Sequence, residues 1–295
     1  MEPKKYQRRT LDVISGYLEL LSACRSKAVA DRTTDNDFPA KAWHTMEGFR
    51  RFYRSRTDGL GRPLPCFCLK IPMGGGKTFL AVRTIDLVNT NYLKKRTGLV
   101  LWIVPTTQIY SQTIRSLRDR DHPYRQHLDI ASGGRTLIRE KGDHFTPQDV
   151  AESLVVLMLM LPSANRKTKE QLRLFKDSGG FADFFPAEDD AQAAARLIET
   201  TPNLDTFESR NGFWGRQIKT SLGNTLRLLN PIIILDEGHK AYSETAQDTL
   251  RGFNPSIVVE LSATPPAQSN ILVDVTGIDL NREDMIKFDM HVFNK

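Results

Sequence analysis

Short unbroken apolar runs along this chain are each followed by a stretch whose apolar residues recur every three or four positions. Continuous runs mark strands buried on both faces, and the 3.6-residue spacing marks helices packed on them. The pattern predicts strands over 66–71, 98–104, 153–161, 232–235 and 257–261, with helices over 78–92, 108–119 and 241–252. Ahead of the first strand, Tyr6, Leu11, Ile14, Leu18 and Leu21 predict a helix over 4–27, and a second helix is expected from Ala42 to Tyr53. Strands alternating with helices define an α/β fold with a doubly wound parallel sheet. The rhythm breaks between 162 and 229, where a basic cluster (Arg166, Lys167, Lys169), Gly179-Gly180 and an Ala-rich stretch follow one another. That interval is too long for a structureless loop in a compact domain and reads as a mostly helical insertion. The expected division is an N-terminal helical segment over 1–62, a sheet lobe over 63–161 and 230–295, and the insertion over 162–229.

Composition narrows the class only a little. With 295 residues and 40% hydrophobic content, the chain can fill a sizeable core. A net charge of +6 leans modestly toward polyanionic partners without a polybasic signature. The three cysteines are few and odd in number; Cys66 and Cys68 alternate on a strand as small core residues, with no His or Cys cluster to complete a metal site, and suit a reducing compartment. The longest apolar run, Leu154 to Leu161, is too short to span a bilayer. No apolar signal segment follows the basic N-terminus. The expectation is a cytoplasmic protein with no membrane partner.

The candidate chemistry lies where two of the predicted strands end. After the first comes Ile71-Pro72-Met73-Gly74-Gly75-Gly76-Lys77-Thr78. Glycines let a loop turn tightly and bring its N–H groups against phosphate oxygens, and the helix that follows adds the positive end of its dipole. Gly74, Gly75 and Gly76 would cradle the phosphates, Lys77 would reach the β- and γ-phosphates, and Thr78 would ligate Mg²⁺. The general phosphate-loop pattern has glycine where this chain has Ile71, so these residues alone also fit a glycine-rich turn. After the run Ile232–Leu235 come Asp236 and Glu237. Asp236 would hold Mg²⁺, and Glu237 would orient or deprotonate a water attacking the γ-phosphate. Acids opening a helix are also ordinary first-turn residues, but that does not account for the aliphatic strand feeding them.

Together with Leu261-Ser262-Ala263-Thr264-Pro265-Pro266, these segments make the chain resemble the first RecA-like lobe of a superfamily-2 nucleic-acid helicase or translocase. Within that group, the run from Asn230-Pro231-Ile232 through Asp236-Glu237-Gly238-His239, then Phe253–Ser256, Glu260–Pro265 and Leu280–Lys287, is similar to the ATPase subunit of type III restriction and related defence systems. The resemblance implies ATP and Mg²⁺ as cofactors. It implies adenine contact at Tyr6 and Gln7, and coupling between the γ-phosphate site and the strand site through His239, Ser262 and Thr264. It also implies a grip on one nucleic-acid strand by Pro105, Thr106, Thr107 and Gln112. DNA, single-stranded or duplex and with RNA still open, is the implied partner, along with a second RecA-like lobe and nuclease or methyltransferase subunits.

Residue type leaves several of these positions with a second reading. Thr106 and Thr107 can bind strand phosphates or cap the helix after them. Ser262 and Thr264 can transmit the nucleotide state or cap their own turn. Arg50, Arg51, Arg54 and Arg56 line one edge of the predicted second helix and can meet phosphates or only solvent. Trp43, Trp102 and Trp214 read as core.

The function expected from the sequence is the ATP-binding motor lobe of a DNA helicase or translocase. The sequence ends at Lys295, ahead of any second lobe, so slow ATP turnover by this chain alone is expected. The alternative is a nucleotide-gated DNA-binding switch without helicase activity.

Overall fold

The structure, a computed structural model, describes residues 2–31, 37–47, 51–160, 180–208, 216–238 and 244–285. Strands β1 (Cys66–Lys70), β2 (Gly98–Val104), β3 (Thr136–Glu140), β4 (Leu154–Met160), β7 (Ile232–Asp236), β8 (Ile257–Ser262) and β9 (Ile271–Asp274) form one sheet in the order β3-β4-β2-β7-β8-β1-β9. Every pairing in it is parallel, so all seven strands end at the same edge.

Alternation along the strands sorts side chains to the two faces. Phe67, Leu69, Val100, Trp102, Ile232, Ile234, Val259 and Leu261 join one core, and Cys66, Leu99, Leu101, Ile233, Leu235 and Val258 join the other. The first core is covered by α1 (Lys5–Ala30), α2 (Phe38–Thr45), α3 (Lys77–Leu87), α4 (Thr107–Arg118) and α5 (Pro123–Ser132). A short helix α6 (Pro147–Glu152) leads into β4. Between β4 and β7, α7 (Ala191–Thr200) is followed by an antiparallel ribbon of β5 (Thr206–Glu208) and β6 (Arg216–Ile218), and then by α8 (Leu222–Leu229). Leu222 and Leu226 of α8, with Leu250 and Phe253 from α9 (Glu244–Gly252) and its end, cover the second core. Last comes α10 (Gly277–Asn281). No helix among the described residues is long and apolar enough to cross a membrane.

Helix α1 starts with one half of a capping box: the Lys4 N–H donates to Gln7 Oε1 at 2.9 Å. Its buried stripe runs from Tyr6 through Ile14 to Leu21, with Tyr17 edge-on to both Trp43 (5.6 Å) and Phe67 (5.7 Å). Packing α1 along the sheet in this way brings its N-terminal turn to the strand-end edge.

The second helix differs from expectation. It begins at Phe38 under an Asp37 cap and stops at Thr45, and residues 51–56 are not helical. Trp43 and Tyr53 are buried against each other without a helix there, while Phe52 is exposed. The Trp43 indole N–H donates to the Arg51 carbonyl at 2.9 Å, and the Tyr53 ring packs on Trp43 at 5.1 Å. Outside the 162–229 interval, five described elements had no distinct sequence signal: α5, β3, α6, β9 and α10. Of these, β3 and β9 are the short edge strands of the sheet, where one-sided burial replaces the long aliphatic run.

Candidate nucleotide site at the strand ends

The loop leaving β1 needs its glycines for steric reasons. Gly74 (φ 78°) and Gly76 (φ 74°) occupy the left-handed region, which costs any other L-residue energy. A Cβ on Gly75 would lie 2.6 Å from Ile71 Cγ2, so the residue that departs from the general glycine pattern is packed against the loop's own glycine. Gly76 is the N-cap of α3, and Lys77 and Thr78 form its first turn. The backbone N–H groups of such a turn have no helical partner and favour an anion.

The start of α1 closes one side of the loop. Tyr6 Oη donates to the Gly75 carbonyl at 2.9 Å, and Gln7 Nε2 donates to Tyr6 Oη at 3.2 Å. A Cβ on Gly76 would meet Gln7 Nε2 at 2.7 Å. Burial raises the Tyr6 pKa above its ordinary value, so the hydroxyl stays a donor. The sequence did not signal a further cover: Leu280 of α10 is 1% exposed and lies over Gly75, while Asp279 pairs with Arg9 of α1 at 3.0 Å.

The acids arrive from β7. One strand, β8, separates β7 from β1, and the register puts Leu69, Leu261 and Asp236 in one row. Two strand spacings are about 10 Å, a gap that a lysine side chain and a glutamate can bridge. They do: Lys77 Nζ is 3.1 Å from Glu237 Oε1, with both side chains largely buried. Glu237 is itself left-handed (φ 50°), so the backbone turns sharply where the strand stops. Its N–H donates to Asp236 Oδ1 at 3.0 Å. Asp236 is 7% exposed, and its pKa is raised to about 6, by burial first and by the Glu237 charge second, with Lys77 opposing. An acid destabilised in that way suits a divalent cation, which would supply the missing counter-charge. The residues therefore fit Mg²⁺ bound through Asp236, with Thr78 on the facing helix turn.

Other expected positions fall around this centre. Ser262 ends β8 between the two motifs and is 1% exposed; its carbonyl accepts the Ile71 N–H at 2.9 Å. Its hydroxyl accepts the Thr264 N–H at 3.2 Å, so the turn-capping role is realised, while Thr264 is exposed. His239 and Trp214 lie outside the described residues. Pro105, Thr106 and Thr107 follow β2, at the same edge and next to the acid strand. Thr106 Oγ1 accepts the Ile109 N–H at 3.3 Å and so caps α4, leaving Thr107 and Gln112 exposed.

The arginine edge is corrected outright. Without a helix over 51–56, Arg51, Arg54 and Arg56 form no helix edge, and Arg50 lies outside the described residues. Arg51 donates to the Ile271 carbonyl at 3.0 Å, and Arg56 turns inward to Glu260 at 3.2 Å. A lone acid inside the apolar run of β8 was the available signal for that second contact.

A glycine loop between strand and helix, facing an acid pair two strands away on a parallel sheet, defines the class: a RecA-like P-loop lobe of the superfamily-2 helicase type. The sequence profile of the family "Type III restriction enzyme, res subunit" matches residues 2–267, and the chain belongs to that family. Comparison with curated proteins gives no match. Among solved structures the chain is similar to the Pyrococcus furiosus Hef helicase domain, at 17% identity and a TM-score of 0.30, covering 74% of this chain and 32% of that one. The chain thus spans less than a third of that structure's length.

Proposed function

We propose that this chain is the ATP-binding motor lobe of an ATP-dependent DNA translocase or helicase of the restriction or defence type. The observation that carries the reading is the Lys77–Glu237 contact, which joins the glycine loop and the acid motif into one site. In this reading, bound Mg²⁺ neutralises charge on the β- and γ-phosphates of ATP. Gly74–Gly76 and the first turn of α3 hold the phosphate oxygens by backbone N–H groups. Lys77 leaves Glu237 for the phosphates, Thr78 and Asp236 serve as metal ligands, and the freed Glu237 carboxylate takes a proton from water. Tyr6 and Gln7 sit on the adenine side. Pro105, Thr106, Thr107 and Gln112 position one strand's backbone, through backbone groups and the exposed Thr107 and Gln112 where the Thr106 hydroxyl is engaged. His239, Ser262 and Thr264 couple the two sites.

Phosphoryl transfer of this kind depends on positioning and charge, and an arginine from a second lobe is worth ~10³–10⁵ in rate. That lobe would come from the remainder of a longer chain or from a partner subunit, as would any nuclease or methyltransferase function.

Titration calorimetry with Mg-ATP, followed by hydrolysis assays with and without single-stranded and duplex DNA, tests the reading. Saturable Mg-dependent ATP binding, with slow turnover until a second lobe is added, is the expected result. Absence of ATP binding would refute it. ATP-dependent DNA affinity that never yields DNA-stimulated hydrolysis, even with the second lobe present, would favour the alternative of a nucleotide-gated switch.

A further inference from the structure

Glu260 is the only charged residue of β8, and it is 1% exposed in the middle of the sheet. Its neighbours in register are Leu235 on the acid strand and Cys68 on the loop strand. Arg56 reaches it from the segment ahead of β1, Nη1 to Oε1 at 3.2 Å, with the arginine side chain 12% exposed. The same guanidinium also contacts Gln247 and Gln268. Nη1 donates to Gln247 Oε1 at 3.1 Å, and Nη2 donates to the Gln268 carbonyl at 3.4 Å. Gln247 belongs to the helix that follows the acid motif, and Gln268 to the loop that follows Ser262–Thr264. The acid-motif turn also rests on this acid: a Cβ on Gly238 would come within 3.4 Å of Glu260 Cβ.

A buried ion pair gives little net stability compared with apolar residues of the same volume, because desolvation offsets the attraction. Burial alone therefore does not account for an arginine here. What an arginine supplies is a rigid planar fork with several donors at fixed angles. That fork touches the strand between the two motifs, the helix after one and the loop after the other.

We propose that Arg56 is a positioning residue that ties the acid-motif helix to the loop after Ser-Ala-Thr through Glu260. Movement of the acid motif on nucleotide binding is thereby passed to the nucleic-acid side. This rests on the reading under Proposed function.

The test measures coupling and not turnover. Affinity for a fluorescent oligo-dT is read by anisotropy with and without Mg-AMPPNP, and AMPPNP affinity is read separately by calorimetry. In the wild-type chain the nucleotide should shift oligonucleotide affinity by ~5-fold or more, the lower range of allosteric coupling. In Arg56→Met/Glu260→Met, a volume-matched apolar pair, each ligand alone should bind as in wild type and the shift should fall within ~2-fold of none. Arg56→Lys keeps the charge without the fork; it should melt close to wild type and also lose the shift, and it decides the matter if the double variant does not fold. Retention of the wild-type shift in either variant overturns the proposal, as does a wild-type chain that binds both ligands with no shift. A wild-type chain that binds no AMPPNP instead refutes the nucleotide-site reading, and this proposal falls with it.

Discussion

Lys77 Nζ and Glu237 Oε1 lie 3.1 Å apart, so the lysine proposed to bind phosphate is paired with the acid proposed to act on the attacking water. Under the proposed function neither can act while paired, and an incoming triphosphate would have to break the pair. The arrangement keeps two largely buried charges satisfied until a more highly charged partner competes for the lysine.

Replacing Lys77 with Ala removes the proposed charge-assisted phosphate contact and the Lys77–Glu237 ion pair. A charged hydrogen bond is worth ~1.5–3 kcal/mol, so Mg-ATP affinity should drop by ~10–100-fold. Calorimetric Kd values for wild type and K77A check this; equal values would take the lysine out of the site.

Glu237→Gln keeps the shape and can still bond Lys77 but cannot accept a proton. Nucleotide affinity should stay within a few-fold, while hydrolysis in the presence of a second lobe should fall by ~10²–10⁴, the usual contribution of a general base. Single-turnover measurements separate the two effects, and an unchanged chemical step would remove Glu237 from proton transfer.

Asp236 makes the ligand-free fold pH-dependent. Its pKa is about 6 in the folded chain against an ordinary 3.8, so the folded state holds the proton more tightly than the unfolded one. Its contribution is fully present below the ordinary value and is lost as pH rises through the folded value, a change of up to ~3 kcal/mol. Urea unfolding across that window should show this decline in wild type and lack it in Asp236→Asn. Because Mg²⁺ needs the ionised carboxylate, Mg-ATP affinity should rise over the same window.

Gly76→Ala meets two obstacles. The left-handed conformation (φ 74°) costs a non-glycine residue ~1–2 kcal/mol, and the new methyl would sit 2.7 Å from Gln7 Nε2. Thermal unfolding of G76A and of G76A combined with Gln7→Ala should show partial recovery in the second, since only the clash is removed. Full recovery would mean the backbone carries no penalty.

Much of the fold was legible because it is written locally. The aliphatic runs that became β1, β2, β4, β7 and β8 are buried on both faces, and burial of that kind leaves little choice of residue. The short edge strands β3 and β9 were not legible, since one-sided strands of four or five residues look like turns. The second helix was read too long because Tyr53 is apolar for another reason: it packs on Trp43 from a non-helical segment whose Arg51 carbonyl accepts the Trp43 N–H.

By itself the sequence determined the five inner strands of the sheet, the glycine loop and the acid pair, because each depends on the chemistry of neighbouring residues. Only the tertiary structure decided that β8 lies between the two motifs, that Tyr6 bonds Gly75, and that Arg56 turns in to Glu260. Those relationships join segments far apart in the chain. They are set by which faces can be buried together and which charges must find partners once water is excluded, a choice made by the whole molecule.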